Sequence, residues 1–181
     1  EENKVWILYA FGSAFFAGIT AILAKIGIKN TDSNLATAIR TIIILLFSWL
    51  MVFIVGSLNT ITNITVKTGI FLVLSGLATG LSWLCYFRAL QLGNVNSVTP
   101  IDKSSTILTM ILAIIFLNEK VTILKVVSII LIGFVTYMMI EKKEDNKEIK
   151  NNKWLLFAFG SAILASLTSI LGKIGIEGVE S

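Results

Sequence analysis

The sequence predicts an all-α, polytopic membrane helical bundle with six transmembrane helices, arranged as a five-helix repeat plus the first helix of an inverted second repeat. Three observations predict it. Hydrophobic residues make up 55% of the 181 residues, charged residues only 14%, and mean hydropathy is +0.86. The apolar residues fall in long blocks; lipid offers no partners for an open sheet edge, so blocks of this length must be helices. One block recurs: residues 6–33 and 154–181, WILYAFGSAFFAGITAILAKIGIKNTDS and WLLFAFGSAILASLTSILGKIGIEGVES, are identical at 16 of 28 ungapped positions.

About 20 apolar residues are needed for each crossing. The first candidate, 5–28, follows Glu1 and Glu2 and is too long for the apolar core of a cleavable signal. The second, 35–55, follows the polar turn KNTDSN, and the connection GSLNTITNITVK leads to the third, 68–90. The turn QLGN opens the fourth, 95–117, and NEK separates it from the fifth, 122–140. Such short turns imply antiparallel neighbours. Residues 141–153, EKKEDNKEIKNNK, carry five lysines and four acids and divide the first repeat (1–140) from the sixth span, 154–176. This linker is expected to be solvated and poorly packed, because its composition buries too little surface to offset ordering entropy.

The two copies of the repeated block are 148 residues apart, and that interval holds five spans. An odd number of crossings makes the second copy run against the first, the device by which many transporters build one site between two related halves. The repeat implies that a second copy of SNLATAIRT should follow Ser181, so the sequence is read as a fragment of a chain of about 300 residues. A natural protein with one duplicated helix is the alternative.

Composition excludes several classes. The single Cys85 forms no intrachain disulfide, and a chain with no histidine offers no zinc site of thiolate and imidazole. The net charge of +4 lies on lysines between apolar spans, where basic residues orient helices and meet lipid headgroups rather than nucleic acid. No serine, cysteine or lysine has a plausible base beside it, so no enzyme is expected, and no cofactor motif is present.

The stretch VTPIDKSST, residues 98–106, holds the sole proline beside an acid and a base, at the mouth of an apolar run. Thr99 to Asp102 fit N-cap, N1, N2 and N3, which would start the helix at Pro100. Alternatively the helix starts at Asn94 with Pro100 inside it, and Asp102 then lies roughly 12 Å along the span. The second reading is favoured, because an ionisable group within a span tends to face an interior or a water-filled path. Folding helices 1 and 2, and 3 and 4, about their turns brings Lys25, Arg40, Arg88 and Lys103 to the same end as Asp102, with Trp83 opposite the acid. The candidate substrate site is therefore Asp102, Lys103, Pro100, Trp83, Arg88, Arg40 and Lys25, with Lys173 repeating Lys25. The competing explanation for the cations is snorkelling to water, and for Trp83 and Tyr86 it is packing. Gly76 and Gly80 form a GxxxG explained by close helix contact.

Ala89 and Leu90 end the third helix, a short turn and a helix opening near a proline follow, and Leu117, Glu119 and Lys120 form an LxEK turn, with Gly133 in the fifth helix. On these residues 5–140 resembles an EamA repeat of the drug/metabolite transporter superfamily. The resemblance implies a ten-helix carrier of two inverted halves, often an exporter of amino acids or similar metabolites. It departs from the related small multidrug resistance proteins, whose first helix carries an embedded glutamate absent here.

The expected function is export of small polar metabolites, such as amino acids or organic anions, by alternating access. A lipid-headgroup flippase of the same superfamily and a structural membrane protein are the alternatives. The expected partners are a small-molecule substrate, the lipid bilayer, and a second repeat or inverted partner chain that completes the site. The expected location is a prokaryotic plasma membrane. The lysine count puts the linker in the cytoplasm, whereas the resemblance suggests the reverse.

Overall fold

The computed structural model describes residues 2–56, 58, 64–141 and 153–176. The linker expected at 141–153 falls on residues 142–152, outside the described residues. The helices are α1 (Glu2–Ile28), α2 (Ser33–Val55), α3 (Val66–Leu92), α4 (Val95–Lys103), α5 (Ser105–Phe116), α6 (Ile123–Glu141) and α7 (Lys153–Gly175). Taking α4 and α5 as one broken span, five helices are long and apolar enough to cross a membrane, and the apolar stretch Ile123–Met139 of α6 is shorter. Much of the exterior is large apolar side chains, Leu8, Phe11, Ile54 and Ile123 among them, the surface that lipid rather than water covers.

Local chemistry sets the ends. Asp32 accepts from the N–H groups of Asn34 and Leu35 and starts α2. Gly56, with φ of 75°, ends it in the left-handed region that glycine enters at little cost. Thr65 caps α3 through the N–H of Thr68. In the turn before α6, Lys125 Nζ lies 2.6 Å from Glu119 Oε2, and its hydrogen bond and charge hold the Glu119 carboxyl below the usual range.

Of the two readings of VTPIDKSST, the structure takes the one with Pro100 inside the helix: Asn94 is the N-cap and α4 runs through the proline to Lys103. A break at Ser104 follows, which the sequence reading did not anticipate. Proline donates no N–H and crowds the preceding turn. One turn later the Ser104 N–H is shared between Pro100 O at 2.9 Å and Ile101 O at 3.2 Å, and Ser104 Oγ donates to Ile101 O at 2.6 Å. The tightened turn separates α4 from α5 just after Asp102 and Lys103.

The core gathers Ile28, Tyr86, Phe87, Ala89, Leu90, Val98, Ile101 and Ala158, so it is built where α1, α3, α4 and α7 meet. α7 packs chiefly along α3 and also meets α4 and α5. A Cβ placed on Gly93, just past the end of α3, would lie 3.1 Å from Trp154 near the start of α7; one on Gly175 would lie 3.1 Å from Phe71 near the start of α3. α7 therefore runs against α3. Lys25, near the end of α1, donates to Leu90 O and, at 2.7 Å, to Gly93 O. The end of α1 and the start of α7 thus meet the same end of α3, and the two copies of the repeated block run in opposite directions. The close contact expected of Gly76 and Gly80 is corrected: among the described residues a Cβ on either would meet nothing within 4 Å. Small residues of α7, not this GxxxG, allow the approach to α3.

Lys25 holds the carbonyls that end α3, which α3 itself cannot satisfy. Lys25→Met keeps the stem and removes the donor, so unfolding in detergent should shift to lower temperature, at a cost of about 1–3 kcal/mol. An unchanged melting temperature with lost transport would instead move Lys25 to the substrate.

Candidate functional site

A cavity of about 320 Å³ lies between α1, α2, α3, the α4–α5 break and α7. Its apolar wall includes Ala17, Ala21 and Ala165, and its polar lining includes Thr20, Arg40, Thr79, Ser82, Trp83, Tyr86, Asp102, Lys103, Ser161 and Thr168. Small side chains on α1 and α7 leave the volume open, and the polar groups come mostly from α3 and α4. On α3, Ser75, Thr79 and Ser82 recur at i, i+4 and i+7, so they lie along one side of the helix. Ser75 Oγ donates to Thr168 O at 3.0 Å, Thr79 Oγ1 to Thr168 Oγ1 at 3.3 Å and Ser82 Oγ to Ser161 O at 3.0 Å. These hydroxyls join α3 to α7 and satisfy one another where water is scarce.

Asp102 ends this ladder. Its Oδ1 accepts from Ser161 Oγ at 2.6 Å, and its Oδ2 lies 3.6 Å from Lys103 Nζ. The carboxylate side chain is only 13% exposed whereas that of Lys103 is 57% exposed, so the acid is held inside and its neighbour reaches outward. Tyr86 OH lies 3.4 Å from Thr99 Oγ1 on the same helix as Asp102.

Arg40 enters from α2. Its Cζ sits 3.5 Å from the centroid of the Trp83 ring and 5.9 Å from that of Phe87. The ring faces stabilise the guanidinium through their negative quadrupole and fix its plane. Arg40 Nε is buried and has no hydrogen-bond partner among the described residues. Such a donor is costly to leave unpaired, and an anionic group is one acceptor that would satisfy it.

Of the seven residues proposed from the sequence, Asp102, Lys103, Trp83 and Arg40 line this cavity together. Lys25, Arg88 and Pro100 do not. Lys25 is committed to the end of α3; Arg88 donates to Gln91 Oε1 at 3.0 Å and borders a separate shallow pocket with Asp32 and Cys85; Pro100 is buried beside the break. Sequence reasoning missed Ser82, Ser161, Thr79 and Thr168. The signal was there, hydroxyls at helical spacing within apolar spans of α3 and α7, but it needed the knowledge that these two helices pack.

A bundle of membrane-spanning helices around a polar, charged cavity defines a polytopic membrane protein. The EamA-like transporter family model matches residues 4–140. A protein of Sinorhizobium sp., described as "Uncharacterized transporter in cobO 3'region", is 43% identical over 122 residues, which are 67% of this chain and 86% of that protein. No solved structure matches. The chain belongs to the EamA-like transporter family and is an integral membrane protein of the transporter class.

Proposed function

We propose that the protein exports small polar metabolites that carry a carboxylate, amino acids foremost, across a prokaryotic plasma membrane. The observation that carries this reading is one cavity holding a ring-stacked guanidinium at Arg40, whose buried Nε has no partner among the described residues, and a carboxylate at Asp102 only 13% exposed. Arg40 takes the substrate carboxylate, Asp102 takes its amino group, and Thr79, Ser82 and Ser161 offer neutral hydrogen bonds around the remainder.

Alternating access between inverted repeats is supported by the way the cavity uses the duplicated helix. Ala17 and Thr20 of α1, and their counterparts Ala165 and Thr168 of α7, line the same cavity from helices that run in opposite directions. One site shared by both copies is the arrangement in which rocking of related halves exposes it to either side. On this reading residues 1–140 form one unit and α7 opens the second, so a complete site needs the rest of an inverted second unit.

The test is efflux from cells expressing the whole gene product and loaded with amino acids, simple organic acids and organic amines. Amino acids should leave fastest, organic acids measurably, and amines at the rate of control cells. Export confined to amines would sink the reading.

A further inference from the structure

The cavity sets two cations against one acid. Arg40 lines it from α2 and Lys103 from the end of α4, and among the described residues Asp102 is the sole carboxylate in its wall. The free polar groups around them have hydrogens to give: Trp83 Nε1 and the hydroxyls of Thr20 and Ser105 line the same cavity and have no hydrogen-bond partner among the described residues. A zwitterion with no further charge leaves one of the two cations unmatched when the site closes around it. Holding an unmatched charge away from water is costly, and a ligand with one net negative charge removes that cost.

The two oxygens of Asp102 are held unequally. Oδ1 accepts from Ser161 Oγ at 2.6 Å, a firm contact, whereas Oδ2 lies 3.6 Å from Lys103 Nζ, beyond the roughly 2.7–2.9 Å of a charge-assisted hydrogen bond. A substrate ammonium seated at Oδ2 therefore displaces Lys103 and not Ser161. The displaced Nζ keeps its charge, sits on a flexible four-carbon stem, and belongs to a side chain 57% exposed at the cavity rim, so it can swing to a new anionic partner.

We infer that the preferred substrates are amino acids carrying a second carboxylate, and that Lys103 is the residue that selects them. The α-carboxylate lies on Arg40, the ammonium takes Asp102 Oδ2, and the second carboxylate takes the Lys103 ammonium that the first exchange sets free. Its remaining lone pairs suit the donors of Trp83, Thr20 and Ser105. Every charge lining the cavity then has a partner of opposite sign. The inference rests on the proposed roles of Arg40 and Asp102 and adds a third charged contact to them. The competing role for Lys103, reaching to lipid headgroups, gives no discrimination between one amino acid and another.

Glutamate and glutamine, nearly equal in shape and different in charge, test it. The whole gene product is reconstituted in vesicles loaded with both, each labelled, and the membrane potential is clamped at zero so that charge itself drives nothing. Glutamate should leave faster than glutamine by roughly fivefold, the scale of a partly exposed ion pair at its upper end. Lys103→Gln should bring that ratio to about one, and Lys103→Arg, which keeps the charge, should preserve most of it. Glutamine leaving as fast as glutamate from the unmodified protein, or a ratio untouched by Lys103→Gln, would overturn the inference and leave the amino-acid site of Arg40 and Asp102 standing. Release of neither amino acid would overturn both.

Discussion

Asp102→Asn should abolish most export of amino acids while leaving the protein folded. Asparagine has nearly the shape of aspartate, and its side-chain oxygen still accepts from Ser161 Oγ, the 2.6 Å contact that ties α4 to α7. The negative charge is lost, and with it the 3.6 Å pairing with the outward-reaching Lys103 Nζ. A substrate ammonium brought beside this 13%-exposed position then has no counter-ion, and removing one partner of a desolvated charge pair costs about 2 kcal/mol or more, a loss of roughly 30-fold or greater. Simple organic acids, which bring no ammonium, should keep their efflux or gain, since the carboxylate that repels them is gone. That split separates a ligand role from a structural one. If amino acids and organic acids fell together and the melting temperature fell with them, Asp102 would be a buried joint between helices. If neither changed, the site would not include it.

The bundle was legible in the sequence because bilayer thickness fixes span length and lipid forbids unpaired backbone, so hydropathy alone places the spans from 5–28 to 154–176. The interior reading of Pro100 was also accessible, from the cost of leaving Asp102 anywhere but facing a cavity. What sequence could not give is which helices touch. Folding adjacent spans about their turns put Trp83 opposite Asp102, and both line the cavity, because that pairing depends only on a short turn. The same procedure put Lys25 beside Arg40, but the ammonium turns to the carbonyls of Leu90 and Gly93, a choice made by α3 and its following turn rather than by α2. The seat of α7 on α3 joins segments some 80 residues apart, such as Ser82 and Ser161, and no local rule encodes it. The GxxxG of α3 misled for the same reason: small residues permit close approach on any side, and the approach occurs instead at Gly160 and Gly175 of α7.

Arg40→Gln should give the complementary split, with organic acids losing more than amino acids. An organic acid depends on the guanidinium alone, whereas an amino acid keeps Asp102 and the hydroxyls of Ser82 and Ser161. Loss of a desolvated charged partner sets the scale for the organic acids at roughly 30-fold or more. Glutamine still donates hydrogen bonds, so a small residual activity fits. The informative variant is Arg40→Lys, which keeps the positive charge but not the planar group lying 3.5 Å over Trp83. If the stacked plane orients Nε and its neighbours toward the cavity, lysine should restore only part of the lost efflux, because an ammonium on a flexible stem is neither planar nor held by the ring. Trp83→Leu should then resemble Arg40→Lys: the cation remains and its orientation is lost. Full rescue by lysine, with Trp83→Leu unaffected, would reduce Arg40 to a diffuse positive charge at the cavity mouth. The buried Nε, without a partner among the described residues, argues against that outcome, since a charge acting only at long range has no reason to hide a donor from water.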